Sequence, residues 1–326
     1  MSRLHELFPA LEDSLPSIRL GAAPTPLRPL LEMGDGPAGV WLKDEGAFGD
    51  GGWGGNKVRK LEWLIPEAKR RGKSTILTVG GLGTNWGLAC ALYGREHGLK
   101  TVLALIDQPV DDHVEAQLRR LEESGAEIHF THSKARTIVK VPWLMLRDRS
   151  YYLPAGGSSA IGALGAVEIA LELAAQVERG DMPVPSLAVT AVGSGGTAAG
   201  LLLGFELAGL ETKVLAVVVN DTLRLDSKAL VRLAKKSETL LRKRGARMPD
   251  LNLSGSNLIV VDDQLGPGYG HPTDAARRAS KLASDANGLD LDPVYTAKAM
   301  AGLLEFDRQH QRSGPVVFID TNGPRD

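Results

Sequence analysis

From residue 58 onward, short apolar runs alternate with longer stretches in which apolar residues return every three or four positions, the rhythm of parallel strands joined by helical crossovers. Val58, Leu61, Leu64, Ile65 and Ala68 lay one apolar stripe along a helix that should end near Gly72. Residues 74–79 then read as a buried strand, 80–83 as a turn, 84–97 as a second helix and 101–106 as the next strand. A helix over 114–123 and a short strand at 127–130 extend the cycle. Residues 154–165 are small and flexible, which suits a crossing from one lobe to another. The alternation resumes with a helix over 166–177, a strand at 187–192, a glycine-rich turn, a further helix and a strand at 215–219. The predicted class is α/β.

Composition narrows the function classes. With 326 residues, 43% hydrophobic and 24% charged, the chain can bury a sizeable core beneath an ordinary polar surface. A formal net charge of -1 offers little attraction to nucleic acid or anionic membrane, so neither is expected as a partner. The basic residues between 232 and 247 read as one solvated helix face. No apolar stretch approaches the roughly 18 residues of a membrane span, and residues 1–16 carry Glu6, Glu12 and Asp13, unlike a signal peptide. Cys90 is the only cysteine, which excludes an intrachain disulfide and fits a reducing, cytoplasmic location.

Three segments carry candidate chemistry. Gly54 and Gly55 bring the backbone close to something just before a helix begins, and Lys57 follows as a candidate nucleophile; a solvated surface lysine is the plain alternative. Gly193-Ser194-Gly195-Gly196-Thr197 lies between an apolar strand and a helix, offering N–H groups, two hydroxyls and a helix dipole to an anion such as phosphate. Gly193, Gly195 and Ala198 also satisfy the loose Gly-x-Gly-x-x-Ala dinucleotide pattern, with Asp221 near the end of the next strand where a ribose would want a carboxylate. A nicotinamide-dependent oxidoreductase is therefore an alternative at this point. Tyr269 and Tyr295 sit in polar, turn-rich surroundings as acid/base candidates, and Thr321 follows the apolar run 316–319 at a strand's carboxyl end. His129 and His132 lack the carboxylate company of a metal site, and no metal is expected.

Taken in order, these segments resemble the D-cysteine desulfhydrase and 1-aminocyclopropane-1-carboxylate deaminase family of pyridoxal-phosphate enzymes. The resemblance runs from Pro24-Thr25-Pro26-Leu27 and Leu42-Lys43-Asp44 through Asn56-Lys57-Val58-Arg59-Lys60-Leu61-Glu62, Gly80-Gly81, Thr84-Asn85, Gly156-Gly157-Ser158 and the 193–197 loop to Asp292-Pro293-Val294-Tyr295 and Thr321. It implies pyridoxal 5'-phosphate in Schiff-base linkage to Lys57, with Lys60 near the phosphate and Gly193, Ser194, Gly195, Gly196 and Thr197 cradling it. Asn85 would hydrogen-bond the cofactor's ring hydroxyl, and Thr84, Asn85 and Trp86 would meet the substrate carboxylate. Catalysis would fall to Lys57, Tyr295, Tyr269 and Thr84. The resemblance further implies a homodimer and two lobes, each a mostly parallel twisted sheet flanked by helices, with the site in the cleft. Residues 1–57 and 160–326 would form the larger, cofactor-binding lobe and 58–159 the smaller, substrate-side lobe.

Thr296 and Thr321 fall where the branch that opens a cyclopropane ring has glutamate and leucine and the desulfhydrase branch has hydroxyl residues, so β-elimination from a small β-substituted amino acid, of D or L configuration, is the reaction expected. Thr84-Asn85-Trp86-Gly87 departs from the family's serine-asparagine followed by histidine or glutamine, and Asp320-Thr321-Asn322-Gly323 from its histidine-threonine-glycine-glycine. These changes motivate one more alternative, a non-catalytic relative that binds the cofactor or an amino acid without turnover.

Overall fold

The computed structural model describes residues 1–33, 39–49, 55–110, 112–310 and 314–323. Gly54, and most of the glycine-rich stretch before it, lies outside them.

A short helix α1 (Arg3–Leu7) leads into two strands, β1 (Leu27–Leu30) and β2 (Val40–Asp44). The chain then alternates as its apolar pattern predicts through α2 (Asn56–Arg70), β3 (Thr75–Gly81), α3 (Asn85–Glu96), β4 (Lys100–Ile106), α4 (Asp112–Glu123) and β5 (Glu127–Phe130), and continues with α5 (Lys134–Arg147) and β6 (Tyr151–Leu153), which the pattern does not mark. After residues 154–163 come α6 (Leu164–Glu178), β7 (Leu187–Val192), α7 (Gly196–Ala208), β8 (Lys213–Val218), α8 (Ser227–Lys243) and β9 (Leu258–Val261). Two helices, α9 (Asp274–Asn287) and α10 (Thr296–Gln309), precede the last strand, β10 (Val316–Asp320).

The strands form two sheets, a six-stranded one in the order β1-β2-β10-β7-β8-β9 and a four-stranded one in the order β5-β4-β3-β6. Among the described residues, β1 alone runs antiparallel to its neighbour. The α/β class with two helix-flanked, mostly parallel sheets is thus observed. Everything in the four-stranded sheet comes from residues 75–153, while the six-stranded sheet draws on both flanking segments.

Insertion of β10 between β2 and β7 is decisive for the site. It makes the last strand a central one, buried along its whole length, and delivers Thr321 beside the start of α2. Helices α6 and α7 pack across the sheet and bury nearly every residue, so α7 is apolar all round rather than striped. The basic segment near 240 forms the outer side and end of α8, where Arg242 pairs with Glu238 at 3.0 Å and caps the carbonyl of Met248. No helix among the described residues is long and apolar enough to cross a membrane.

Candidate active site

Helix α2 carries two sets of charged residues on opposite faces. Positions three apart share a face and positions two apart oppose each other. Arg59 and Glu62 therefore turn one way, Lys57 and Lys60 the other. On the first face Arg59 donates to both Glu45 oxygens at 2.9 and 3.1 Å and to Glu172 at 3.0 Å. Glu172 also meets Lys43, whose amine reaches Gln176 at 2.6 Å and the Thr25 carbonyl at 3.0 Å. Burial works against the charge on Arg59, but Glu45 and Glu172 outweigh it and raise its pKa above the ordinary value. Glu62 accepts the Leu20 N–H at 2.9 Å, and burial pushes its carboxyl up to about 8.

The second face is not paired in this way. Lys60, 4% exposed, donates among the described residues to the carbonyl of Gly156 alone, at 2.8 Å. Burial, with the Lys57 charge as the lesser cause, lowers it to about 7. Lys57 is lowered by burial too, while Asp292 and Asp320 pull in the opposite direction. Neither amine forms an ion pair among the described residues. Lys57 Nζ lies 5.9 Å from the centroid of the Tyr295 ring.

Three backbone segments close around these amines. Gly195 takes φ +90°, in the left-handed region, as it hands β7 over to α7, which only glycine does cheaply. At Gly193 a Cβ would come within 2.8 Å of the Tyr295 ring, so the loop and the tyrosine are in contact. The N–H of Gly196 donates to Ser158 Oγ at 2.9 Å, and Ser158 shares a hydrogen bond with Ser194 at 2.8 Å. Thr197 accepts from Asn56 Nδ2 at 2.8 Å. Asn56 and Ser158 lie inside the recognised motifs but carried no assigned role; their signal was adjacency to Lys57 and to Gly156-Gly157. The Thr321 carbonyl lies 3.0 Å from where a Cβ on Gly55 would stand, joining the end of β10 to the start of α2.

The turn before α3 supplies the remaining candidates. Thr84 is the N-cap, its hydroxyl accepting the Gly87 N–H at 3.1 Å, which leaves its own proton for another acceptor. Asn85 accepts from Gln117 Nε2. Trp86 points into the core: it is 4% exposed, gives its one N–H to Thr78 at 2.8 Å and sits beneath Gly157, where a Cβ would meet the indole at 2.6 Å. With that donor spent, Trp86 shapes the floor through packing and has no polar group left for a carboxylate.

Tyr269 and Tyr295 come together although 26 positions apart in sequence, their hydroxyls hydrogen-bonded and their rings edge to face at 6.1 Å. Burial raises both pKa values, Tyr295 well above its ordinary value with Tyr269 adding to the effect. Asp292 accepts the N–H groups of Val294, Tyr295 and Thr296 and the Thr296 hydroxyl, at 2.7 to 3.0 Å, and so fixes where α10 and Tyr295 begin. The Asp-Pro-Val-Tyr-Thr spacing carried that cap signal. Asp221, the residue a nicotinamide reading needs for ribose, instead accepts the Tyr269 N–H at 3.2 Å and braces the tyrosine's loop. Among the described residues no cluster of three or more acidic, histidine or cysteine side chains is placed to hold a metal.

An anionic aldehyde cofactor suits this cleft on three grounds. Lys57, half-buried, and Lys60, buried, lack a partner anion among the described residues, and both have a lowered pKa, which a phosphate near Lys60 and an imine on Lys57 would each relieve. The loop at the start of α7 combines close-approach glycines with the hydroxyls of Ser194 and Thr197. Asn56 Oδ1 is buried with no partner of its own.

Comparison with known proteins agrees. A family model described as pyridoxal-phosphate dependent enzyme matches residues 18–322. A D-cysteine desulfhydrase from Salmonella paratyphi A is 33% identical over 322 residues, with 94% of each chain covered, and one from Salmonella newport matches equally well. Among solved structures, an ACC deaminase homologue superposes with a TM-score of 0.78 at 26% identity, covering 97% of this chain and 94% of that one. Threonine deaminase isoform 2 from Solanum lycopersicum shares the fold, with a TM-score of 0.65 at 16% identity, covering 98% of this chain and 85% of that one.

Proposed function

Because this chain belongs to the family of pyridoxal-phosphate-dependent enzymes, we propose that it is a lyase that removes the β-substituent and the amino group of a small amino acid, with D-cysteine as first substrate. The products would be a keto acid and ammonia, with hydrogen sulfide as the leaving group from cysteine. The observation that carries the reading is the pair of amines beside the 193–197 loop, half-buried Lys57 and buried Lys60, neither with an ion-pair partner among the described residues.

Pyridoxal phosphate, when bound, supplies the carbonyl that captures the substrate amine and the conjugated ring that accepts electrons from Cα. The roles of the protein follow from its own groups. Lys57, with its pKa lowered by burial, holds more of its amine neutral near pH 7 than a surface lysine and can take a proton from Cα. Lys60, Ser194, Thr197 and the loop N–H groups hold the phosphate. The free proton of Thr84 and the first N–H groups of α3 meet the substrate carboxylate. Tyr295 stays protonated because burial keeps it so, and with Tyr269 behind it can hand a proton to the departing sulfur. The hydroxyl of Thr296 is spent on Asp292, whereas that of Thr321 has no partner among the described residues and suits the ring nitrogen.

Residues 1–57 and 160–326 are the proposed cofactor lobe and 58–159 the substrate lobe. The proposed assembly is a homodimer and the proposed location the cytoplasm.

The test is the absorbance of the purified protein after addition of pyridoxal phosphate and dialysis, before and after borohydride, beside Lys57→Ala. A retained visible band that borohydride converts into a covalent adduct on Lys57, absent from the variant, is expected. No band, or the same adduct in the variant, removes the lysine assignment. Keto-acid release from D- but not L-cysteine would then support the substrate, and cofactor retention without release from any amino acid would leave a binding protein.

A further inference from the structure

The side-chain amide of Asn85 opens α3 at the edge of the cleft, and its orientation is fixed from behind. An amide is ambiguous by itself, since its oxygen accepts and its nitrogen donates. Here the ambiguity is resolved two residues away. Arg120 carries donors and no acceptor, so its contact at 3.1 Å can only be made to the oxygen of Gln117. Gln117 must then turn its nitrogen outward, where it donates to Asn85 Oδ1. Gln117 is 1% exposed, and Arg120 lies one turn further along the same helix, α4. Asn85 is thereby left with Nδ2 as the group it can present elsewhere, and among the described residues nothing accepts from it. The neighbouring Trp86 packs under Gly157, beside the Gly156 carbonyl that holds Lys60, so this end of α3 borders the same cleft.

We propose, given pyridoxal phosphate as the occupant of this cleft, that Gln117 is a positioning residue: held by Arg120, it locks the Asn85 amide so that Nδ2–H donates to an oxygen of the bound cofactor. The three residues form a one-way chain of donors, from guanidinium to amide to amide to cofactor oxygen. Its direction is set by the arginine and holds without the cofactor.

The sharpest probe is Gln117→Glu, equal in size but only an acceptor. The introduced carboxylate would still receive Arg120, now as an ion pair, and would demand a donor from Asn85, which must flip and offer its oxygen to the cleft. The cofactor-free variant should therefore melt near the wild-type temperature, yet bind pyridoxal phosphate at least tenfold more weakly. The pH at which the bound cofactor changes colour should rise, because an anionic oxygen has lost a donor. Asn85→Asp, which can still receive Gln117 but has no donor, should show the same two cofactor effects. In the cofactor-free protein the double variant Gln117→Glu/Asn85→Asp sets two carboxylates face to face, and its melting temperature should fall by more than the sum of the single changes.

Wild-type affinity and an unshifted titration in Gln117→Glu would overturn the proposal, as would a loss of affinity no greater than a parallel loss of stability explains. Additive melting temperatures in the double variant would overturn it as well, and that reading needs no cofactor. Should wild type itself fail to retain pyridoxal phosphate, the cofactor assignment falls, and with it the final donor step.

Discussion

The two faces of α2 handle buried charge in opposite ways. Arg59 is enclosed by Glu45 and Glu172, each also satisfied by Thr25 or Lys43, so the charges behind the helix cancel one another. Lys57 and Lys60, two residues before and one after Arg59, face the cleft with no carboxylate in ion-pair contact among the described residues and carry lowered pKa values instead. A buried charge that is paired costs little and anchors the helix, while one left unpaired is retained only where something else will bind it. The difference explains why the motif is dense in charge: each second residue belongs to a different task. The paired face holds the helix against α6 and the amino-terminal segment, and the unpaired face presents reactive amines at fixed positions.

The largest blow to this contrast comes from Arg59→Ala, which leaves Glu45 in the core without its ion-pair partner and Glu172 with Lys43 alone. Removing one partner of a buried pair typically costs about 3–5 kcal/mol, so a steep drop in thermal stability is expected by calorimetry, against little change or a gain for Lys57→Ala. Equal destabilisation by both would mean that the two faces do not differ.

A smaller effect sharpens the other side. Lys60 sits at about 7 in the cofactor-free protein, far below a free lysine, so the unfolded chain binds more protons between that value and about 10.5. Its contribution to stability therefore rises with pH across that window. A phosphate beside it favours the charged form, so cofactor binding near pH 8 should take up a fraction of a proton. Titration calorimetry in buffers of different ionisation enthalpy reads this directly. Lys60→Met should abolish most of the uptake and weaken cofactor binding about tenfold, some 1.4 kcal/mol; undiminished uptake in the variant would show that another group provides it.

Much of this was legible in the chain. The strands at 75–81, 100–106, 187–192 and 213–218 are apolar runs buried on both sides, and their period is unambiguous. β1 was hidden by Pro29, which an edge strand tolerates, and β6 by having only three residues. The glycine loop showed as an anion site by local spacing, whereas Lys57 stood out only through the family resemblance of its whole segment. What local spacing cannot show is which distant groups meet: the Tyr269 contact with Tyr295, the use of Asp221 as a loop brace and the reach of Glu45 and Glu172 to Arg59 all depend on tertiary placement. Trp86 shows the converse: its position beside Asn85 in sequence fitted a pocket residue and a packing residue equally well, and helix geometry turned the indole inward to Thr78.

The subtlest difference between the faces is the sign of their pH dependence. Glu62, on the paired face, has a carboxyl raised to about 8 by burial, although the Leu20 N–H and Arg59 pull it down. A raised carboxyl means that the folded chain binds more protons than the unfolded one between about 4.5 and 8. Its contribution is fully present below that window and is lost as pH rises through it, opposite to Lys60, whose contribution grows above 7. Glu62→Gln removes the titration, and its amide oxygen can still accept the Leu20 N–H. The variant should melt within a few degrees of wild type at pH 5 and progressively above it as pH rises to about 8, with the gap levelling off beyond that. Parallel melting curves across that range would place the Glu62 proton elsewhere and leave the paired face without any pH signature.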